Sequence, residues 1–292
     1  MAIRTILAPL SGGAATEGTI KTACRLARRF GAHIEALHVR TDTRESLSLL
    51  APDISASVTD KLITMAARES EAKAAKAKAA FDAVVLCHAL PPRNKPIGTG
   101  QAAAGSPSAQ WYETVGDAAC LIPRRARLND LVILGQSGRV DEPSTDIPEE
   151  TILHGGRPVL LAPVRPAAPI GEIVVITWNA SVEAARAVAA SLPFLYQARE
   201  VHILTAGNGE GGSTDTALAN YLAWHGIVAA AHNVRPIEGV GTGEVLLAAA
   251  RDCGADLLVM GGYSHAPWRE MLFGGATRQI IGTSRLPILL SH

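Results

Sequence analysis

Short apolar runs alternate with longer amphipathic stretches along the whole chain. Ile6-Leu7-Ala8-Pro9-Leu10 ends at Ser11, an Ala-rich helical pattern follows near Thr16–Phe30, and a second run spans His33–Val39. Asp130–Gly135 and Arg157–Leu161 continue the series. The series then starts again. Val174–Trp178 ends at Asn179, a helical pattern covers Ser181–Leu195, and His202–Ala206, Asp256–Gly261 and Leu286–Leu290 follow. Strands this short and this apolar, spaced by helices, predict an α/β architecture with a parallel sheet covered on both faces.

The matched runs recur in the same order, so the chain holds two copies of one design. The segment Pro163-Val164-Arg165-Pro166-Ala167-Ala168-Pro169 cannot continue a helix and reads as the linker between them. The expected units are residues 1–165 and 170–292. The first copy carries about 42 more residues between its first-strand and fourth-strand turns. The excess falls in an Ala/Lys-rich helix near Thr59–His88 and in the Pro-, Gly-, Ala- and Ser-rich loop Leu90–Gln110, which is a surface excursion or a lid.

Hydrophobic residues make up 48% of the chain and aromatic residues only 4%, so the core must be built from Ala, Val, Leu and Ile. The 27 basic and 27 acidic residues cancel, which argues against a nucleic-acid binder. Cys24, Cys87, Cys120 and Cys253 are scattered without a CxxC pair and read as buried free thiols in a reducing compartment. No apolar run approaches the length of a membrane span, and the first is too short for a signal peptide. A cytoplasmic protein with no membrane partner is expected. The nine histidines show no HxxxH or HExxH spacing, so no metal site is expected.

Residues 254–290 carry the most chemistry. The run Leu257–Met260 meets Gly261, a polar loop follows, and Gly274-Gly275 opens a helical pattern. Glycines there let backbone N–H groups approach an anion, and the helix N-terminus adds partial positive charge. Ser264 follows Gly261 by three residues, and nine residues separate Ser264 from Gly274. This spacing resembles the universal stress protein family, whose ATP-binding members carry Gly-x-x-Gly, nine residues, then Gly-Ser or Gly-Thr. Ser264 stands where the second Gly would be, and Gly275 where the hydroxyl residue would be.

The resemblance implies two tandem flavodoxin-like units of the adenine nucleotide alpha hydrolase-like kind. Each would be doubly wound around a mostly parallel five-stranded sheet. It also implies an adenine nucleotide such as ATP, with or without Mg, in the second unit. The positions matching the family's site are Thr177, Asn179, Ala206, Met260, Gly261, Ser264, His265, Gly274, Gly275 and Ala276. Asn179 stands where ATP-binding relatives place an Asp near the adenosine, and Ala206 where backbone faces adenine. Arg269 and Arg278 offset phosphate charge or are solvated helix-face residues. Family members commonly pair these units, so the tandem chain is expected to build the pair internally; further homodimerisation stays open.

The first unit has Gly135-Gln136-Ser137-Gly138, but nine residues on come Pro148 and Glu149 in place of Gly and Ser. Asp146 reads as an N-cap with Glu149 at capping-box spacing, a helix start that repels a triphosphate. Gly155-Gly156 reads as a helix C-cap. The first unit is thus expected to keep the fold without the phosphate site. Gly239–Glu244 reads as a turn and helix start capped by Gly241 or Thr242. Trp178 either packs against the neighbouring unit or walls the ligand pocket. Three functions compete. The leading one is a stress-response switch biased by nucleotide. A slow ATPase is the second, and a scaffold or receptor for another small ligand the third. The loop offers Glu270 and His265 but no pair of magnesium-binding carboxylates, and Asp256 sits at the far end of its strand, so binding without turnover is favoured.

Overall fold

The computed structural model describes residues 2–41, 56–94, 105–136, 147–166, 169–207, 212–262 and 275–292. Ten strands form one sheet. In chain order they are β1 (Thr5–Pro9), β2 (His33–Arg40), β3 (Ser108–Val115), β4 (Leu131–Gly135) and β5 (Val159–Ala162), then β6 (Ile173–Thr177), β7 (Glu200–Ala206), β8 (Ala230–Val234), β9 (Leu257–Gly261) and β10 (Ile288–Ser291). The strand order is β3-β2-β1-β4-β5-β10-β9-β6-β7-β8. Each half is therefore doubly wound, with a switch point between its first and fourth strands.

Every pairing is parallel except β5 with β10, where Leu161, Leu160 and Val159 oppose Ile288, Leu289 and Leu290. The two halves thus share one continuous sheet instead of packing two separate sheets together. All seven of these seam and neighbouring β5 positions, Val159–Ala162 and Ile288–Leu290, are buried, which is why both strands read as unbroken apolar runs.

The helices are α1 (Thr16–Phe30), α2 (Ala56–Cys87), α3 (Ala118–Ala126), α4 (Ile147–His154), α5 (Val182–Leu195), α6 (Gly212–Trp224), α7 (Thr242–Asp252) and α8 (Gly275–Thr283). Alternate strand residues feed two cores. Ile6, Ile133, Leu160, Ile176 and Val259 join α1, α2, α5 and α6 on one face. Leu7, Val132, Leu161, Val175 and Leu258 join α3, α4, α7 and α8 on the other. Period-two alternation within all-apolar strands sends side chains to both faces. None of the described helices is long and apolar enough to cross a membrane.

The halves are also tied through side chains. Phe30 meets Phe194 edge-on at 4.9 Å. Arg29 donates to the Gly171 carbonyl at 3.0 Å, to Gln197 Oε1 at 3.0 Å and to the Ile170 carbonyl. Gln136 Nε2 donates to the Leu286 carbonyl at 3.3 Å. The internal pairing expected of the two copies is made by these contacts and the β5–β10 seam.

One expectation shifts. Ser108–Gln110, read from sequence as the end of a loop, begin β3 and pair with His33, Ile34 and Glu35. A strand at the sheet edge keeps much of its length polar and half exposed, so its pattern resembles a loop. Asp146, the expected N-cap of α4, lies outside the described residues, as do residues 95–104 of the Leu90–Gln110 loop; of the cysteines expected to be buried, Cys87 and Cys120 are exposed.

Candidate functional site

Two crevices lie beyond the carboxyl ends of the strands, one at each switch point. Their frameworks match residue for residue. In the first, Leu10 N–H donates to the Leu37 carbonyl at 2.8 Å; in the second, Trp178 N–H donates to the Leu204 carbonyl at 2.9 Å. Ser11 Oγ accepts the Gly13 N–H at 3.2 Å, and Asn179 Oδ1 accepts the Ser181 N–H at 3.1 Å. The residue between turns left-handed in both, Gly12 at φ 78° and Ala180 at φ 58°.

At the fourth-strand end, Gly135 and Gly261 lie against the first helix of their half. A Cβ on Gly261 would stand 2.6 Å from the Ala184 nitrogen, and one on Gly135 would stand 2.4 Å from Ala15 Cβ. These glycines are required by close approach, since neither has a positive φ. Gln136 N–H then bonds the Ala162 carbonyl at 2.8 Å and Gly262 N–H the Ser291 carbonyl at 2.9 Å.

The structure brings part of the sequence-derived set to the second crevice. Thr177 is half-buried, and its hydroxyl donates to the Val259 carbonyl at 3.4 Å across the switch point. Asn179 is exposed, and its side-chain oxygen is committed to the Ser181 amide, which leaves its NH2 without a partner among the described residues. Ala206 is exposed at the end of β7, opposite Val234. Met260 is 5% exposed and faces the core shared with α7 and α8, so its side chain is a packing element there. Gly261 closes β9. Gly275 and Ala276 open α8. Ser264, His265, Arg269, Glu270 and Gly274 lie outside the described residues. Asp256 Oδ1 accepts N–H groups of Gly171 and Ile173, and Oδ2 that of Glu172, all at the amino end of the strands and away from the crevice. Trp178 is partly buried against the core between the sheet and α5.

The helices entering the two crevices differ in charge. The first turn of α4 holds Pro148, which has no N–H, followed by Glu149 and Glu150. The first turn of α8 is Gly-Ala-Thr and holds no acid. A helix N-terminus carries about half a positive charge, which carboxylates in the first turn neutralise.

Sequence reasoning missed a cavity in the first crevice. It has a volume of about 630 Å³ and lies between the ends of β1, β2 and β4 and the long helix α2. Leu10, Leu37, Val39, Ile122 and Leu134 make its apolar walls, while Glu69 and Lys73 of α2 stand at its polar side, paired at 2.7 Å. Thr16 lines it, and the buried Thr16 hydroxyl has no hydrogen-bond partner among the described residues. Gly12 lets α2 dock: a Cβ there would stand 2.2 Å from the Lys73 carbonyl oxygen. The signal in the sequence was the length excess of the first half, since no residue pattern marks a roof.

No protein-family model matches the chain, and no curated protein matches it. Solved structures do. Over 98% of its length the chain is similar to a universal stress protein from Archaeoglobus fulgidus DSM 4304, covering 95% of that chain, with a TM-score of 0.70 and 15% sequence identity. It is also similar to a functionally unknown protein from Pseudomonas aeruginosa PAO1, over 99% of this chain and 92% of that one, with a TM-score of 0.56 and 15% identity. At such identity the likeness speaks for the fold, and the fold is that of a universal stress protein of tandem size.

Proposed function

We propose that the protein is a cytoplasmic stress-response switch built of two units, residues 1–165 and 170–292, and that the second unit binds an adenine nucleotide. The observation that carries this reading is the contrast at the helix N-termini. The helix leading into the second crevice begins Gly275-Ala276-Thr277 without an acid, whereas its first-half counterpart presents Pro148, Glu149 and Glu150. Phosphate is attracted to the first kind of helix start and repelled by the second. The adenosine end would lie between Asn179 and Ala206, with Thr177 and Gly261 beneath it. Ser264, His265, Gly274 and Gly275 would surround the phosphates, with or without Mg. Bound nucleotide acts by its differential affinity for two states of the surrounding loop.

Calorimetry with ATP, ADP and AMP, with and without magnesium, tests this reading against a Gly274→Asp variant. Binding that the variant loses supports it. A folded protein that binds no nucleotide at millimolar concentration overturns it.

A second reading rests on the orphaned Thr16 hydroxyl. The first cavity is walled by apolar side chains with a few convergent polar groups, the usual composition of a small-molecule site. In this reading the first unit is a receptor for a mostly apolar ligand whose one polar group accepts from, or donates to, Thr16 Oγ1. A screen of small apolar acids and alcohols by thermal shift, repeated on Thr16→Val, separates the two: nucleotide binding is indifferent to Thr16→Val, and receptor binding is not.

A further inference from the structure

A cluster at the opposite end of the second half belongs to neither crevice. His202 Nδ1 lies 3.0 Å from His232 Nε2, and the Cys253 sulfur joins them, with all three atoms within 4.8 Å of one another. His202 comes from β7, His232 from the edge strand β8, and Cys253 from the C-cap of α7. Three different elements therefore bring two imidazoles, hydrogen-bonded to each other, and one thiol together. We propose that His202, His232 and Cys253 bind a borderline-soft divalent cation, zinc above all.

The geometry fits. Two imidazole nitrogens on a tetrahedral zinc stand about 3.3 Å apart, given Zn–N bonds of about 2.0–2.1 Å. The observed pair opens by a few tenths of an ångström, and the edge position of β8 allows it. The donor set of two imidazoles and one thiolate selects zinc, cobalt or copper over calcium and magnesium, which take oxygen.

The second nitrogen of His202 also has its partner placed. Glu200 Oε2 lies 3.5 Å from His202 Nε2, a buried nitrogen without a closer partner among the described residues. A carboxylate behind a ligating imidazole fixes the tautomer that leaves the metal-facing nitrogen bare. Nε2–H toward Glu200 leaves the Nδ1 lone pair toward the cation. Zinc takes cysteine as the thiolate, so binding displaces the Cys253 proton. With three protein ligands the fourth position is left to solvent, in the manner of open zinc sites.

The site is remote from the nucleotide crevice. His202 precedes Ala206 by four positions along β7, about 13 Å in an extended strand. What the cation joins is the edge of the sheet. β8 is the most exposed strand described in the second half, and the three ligands would clamp it to β7 and α7.

The test is cobalt(II) titration of the full-length, chelator-treated protein, followed by displacement with zinc. The expected result is one equivalent of tetrahedral cobalt with a sulfur-to-metal charge-transfer band that zinc abolishes. Cys253→Ser should lose that band, His232→Ala should lose stoichiometric binding, and Glu200→Gln should weaken affinity about tenfold. Cys120→Ser, an exposed thiol in the first half, should bind like the unaltered protein. His232 is exposed, so His232→Ala keeps the fold, and its circular dichroism checks this. Absence of the band in the unaltered protein, or a band that survives Cys253→Ser, overturns the assignment.

Discussion

The two halves make the same first turn with different residues, and the difference shows what the extra helix demands. Ser11-Gly12-Gly13 and Asn179-Ala180-Ser181 both place a left-handed residue after a side-chain oxygen that accepts the next amide but one. In the first half α2 presses its Lys73 carbonyl onto Gly12, so no Cβ fits. In the second half Ala180 takes the same left-handed turn with its Cβ in place, at the cost of backbone strain. The first half therefore has a cavity roofed by α2 beyond its strand ends. The extra length of the first half thus builds over the carboxyl ends of its strands.

The sharpest way to break the comparison is Gly12→Ala. It should destabilise the protein by about 3 kcal/mol and release α2, because backbone meets backbone and no side chain can yield. Chemical denaturation and amide exchange along Ala56–Cys87 measure both effects; an unaltered midpoint would mean that α2 docks elsewhere.

Next comes a test of what the halves share. Asp130 accepts Arg4 N–H at 2.8 Å and Thr5 N–H at 3.0 Å, as Asp256 accepts the amides of residues 171–173. Asp130→Ala and Asp256→Ala should each cost about 2 kcal/mol, the scale of hydrogen bonds to a charged acceptor. Equal losses in urea melts confirm the equivalence, and a loss confined to one variant breaks it.

A smaller effect of opposite sign is expected from Ala180→Gly. Relief of the positive φ outweighs the added freedom of the unfolded chain, for a gain of about 0.5 kcal/mol. A lower melting temperature would show that Ala180 packs against something the second crevice needs.

The smallest expected effect is a pH slope in the first half. Burial first, then the nearby Arg93, holds His33 below its ordinary value despite Glu35, and burial with Arg25, Arg28 and Lys21 does the same to His88. Their folded pKa values lie below the unfolded value of 6.5, so the unfolded state binds more protons as pH falls. The stability these groups contribute is complete above about pH 6.5 and is lost as pH falls through the folded values. His33→Gln should flatten the decline between neutral and mildly acid pH, read from urea midpoints; an unchanged slope removes His33 from the account.

Much of the architecture was legible because it repeats. The Asp-initiated runs at Asp130 and Asp256 are matched in sequence and play one role, holding the first strand of each half. Helix α1 lies where the amphipathic pattern places it, and Gly241 caps α7 as the turn pattern suggests. The edge strands were harder. β3 and β8 expose much of their length, so they lack the apolar run that marks β4, β5, β9 and β10. Met260, matched to the ligand wall by resemblance, is buried in the same core as Leu134, its first-half counterpart, which lines the first cavity.

The strand–helix alternation and the duplication were legible in local patterning, since propensity, periodicity and turn chemistry act within a few residues. Only the tertiary structure decided how the halves join, which crevice is roofed, and that His202, His232 and Cys253 meet. Those outcomes depend on pairing between segments far apart in the chain. An apolar run such as Val159–Ala162 carries no mark of whether its neighbour will be parallel or antiparallel, and the HxxxH and HExxH spacings see only residues on one helix.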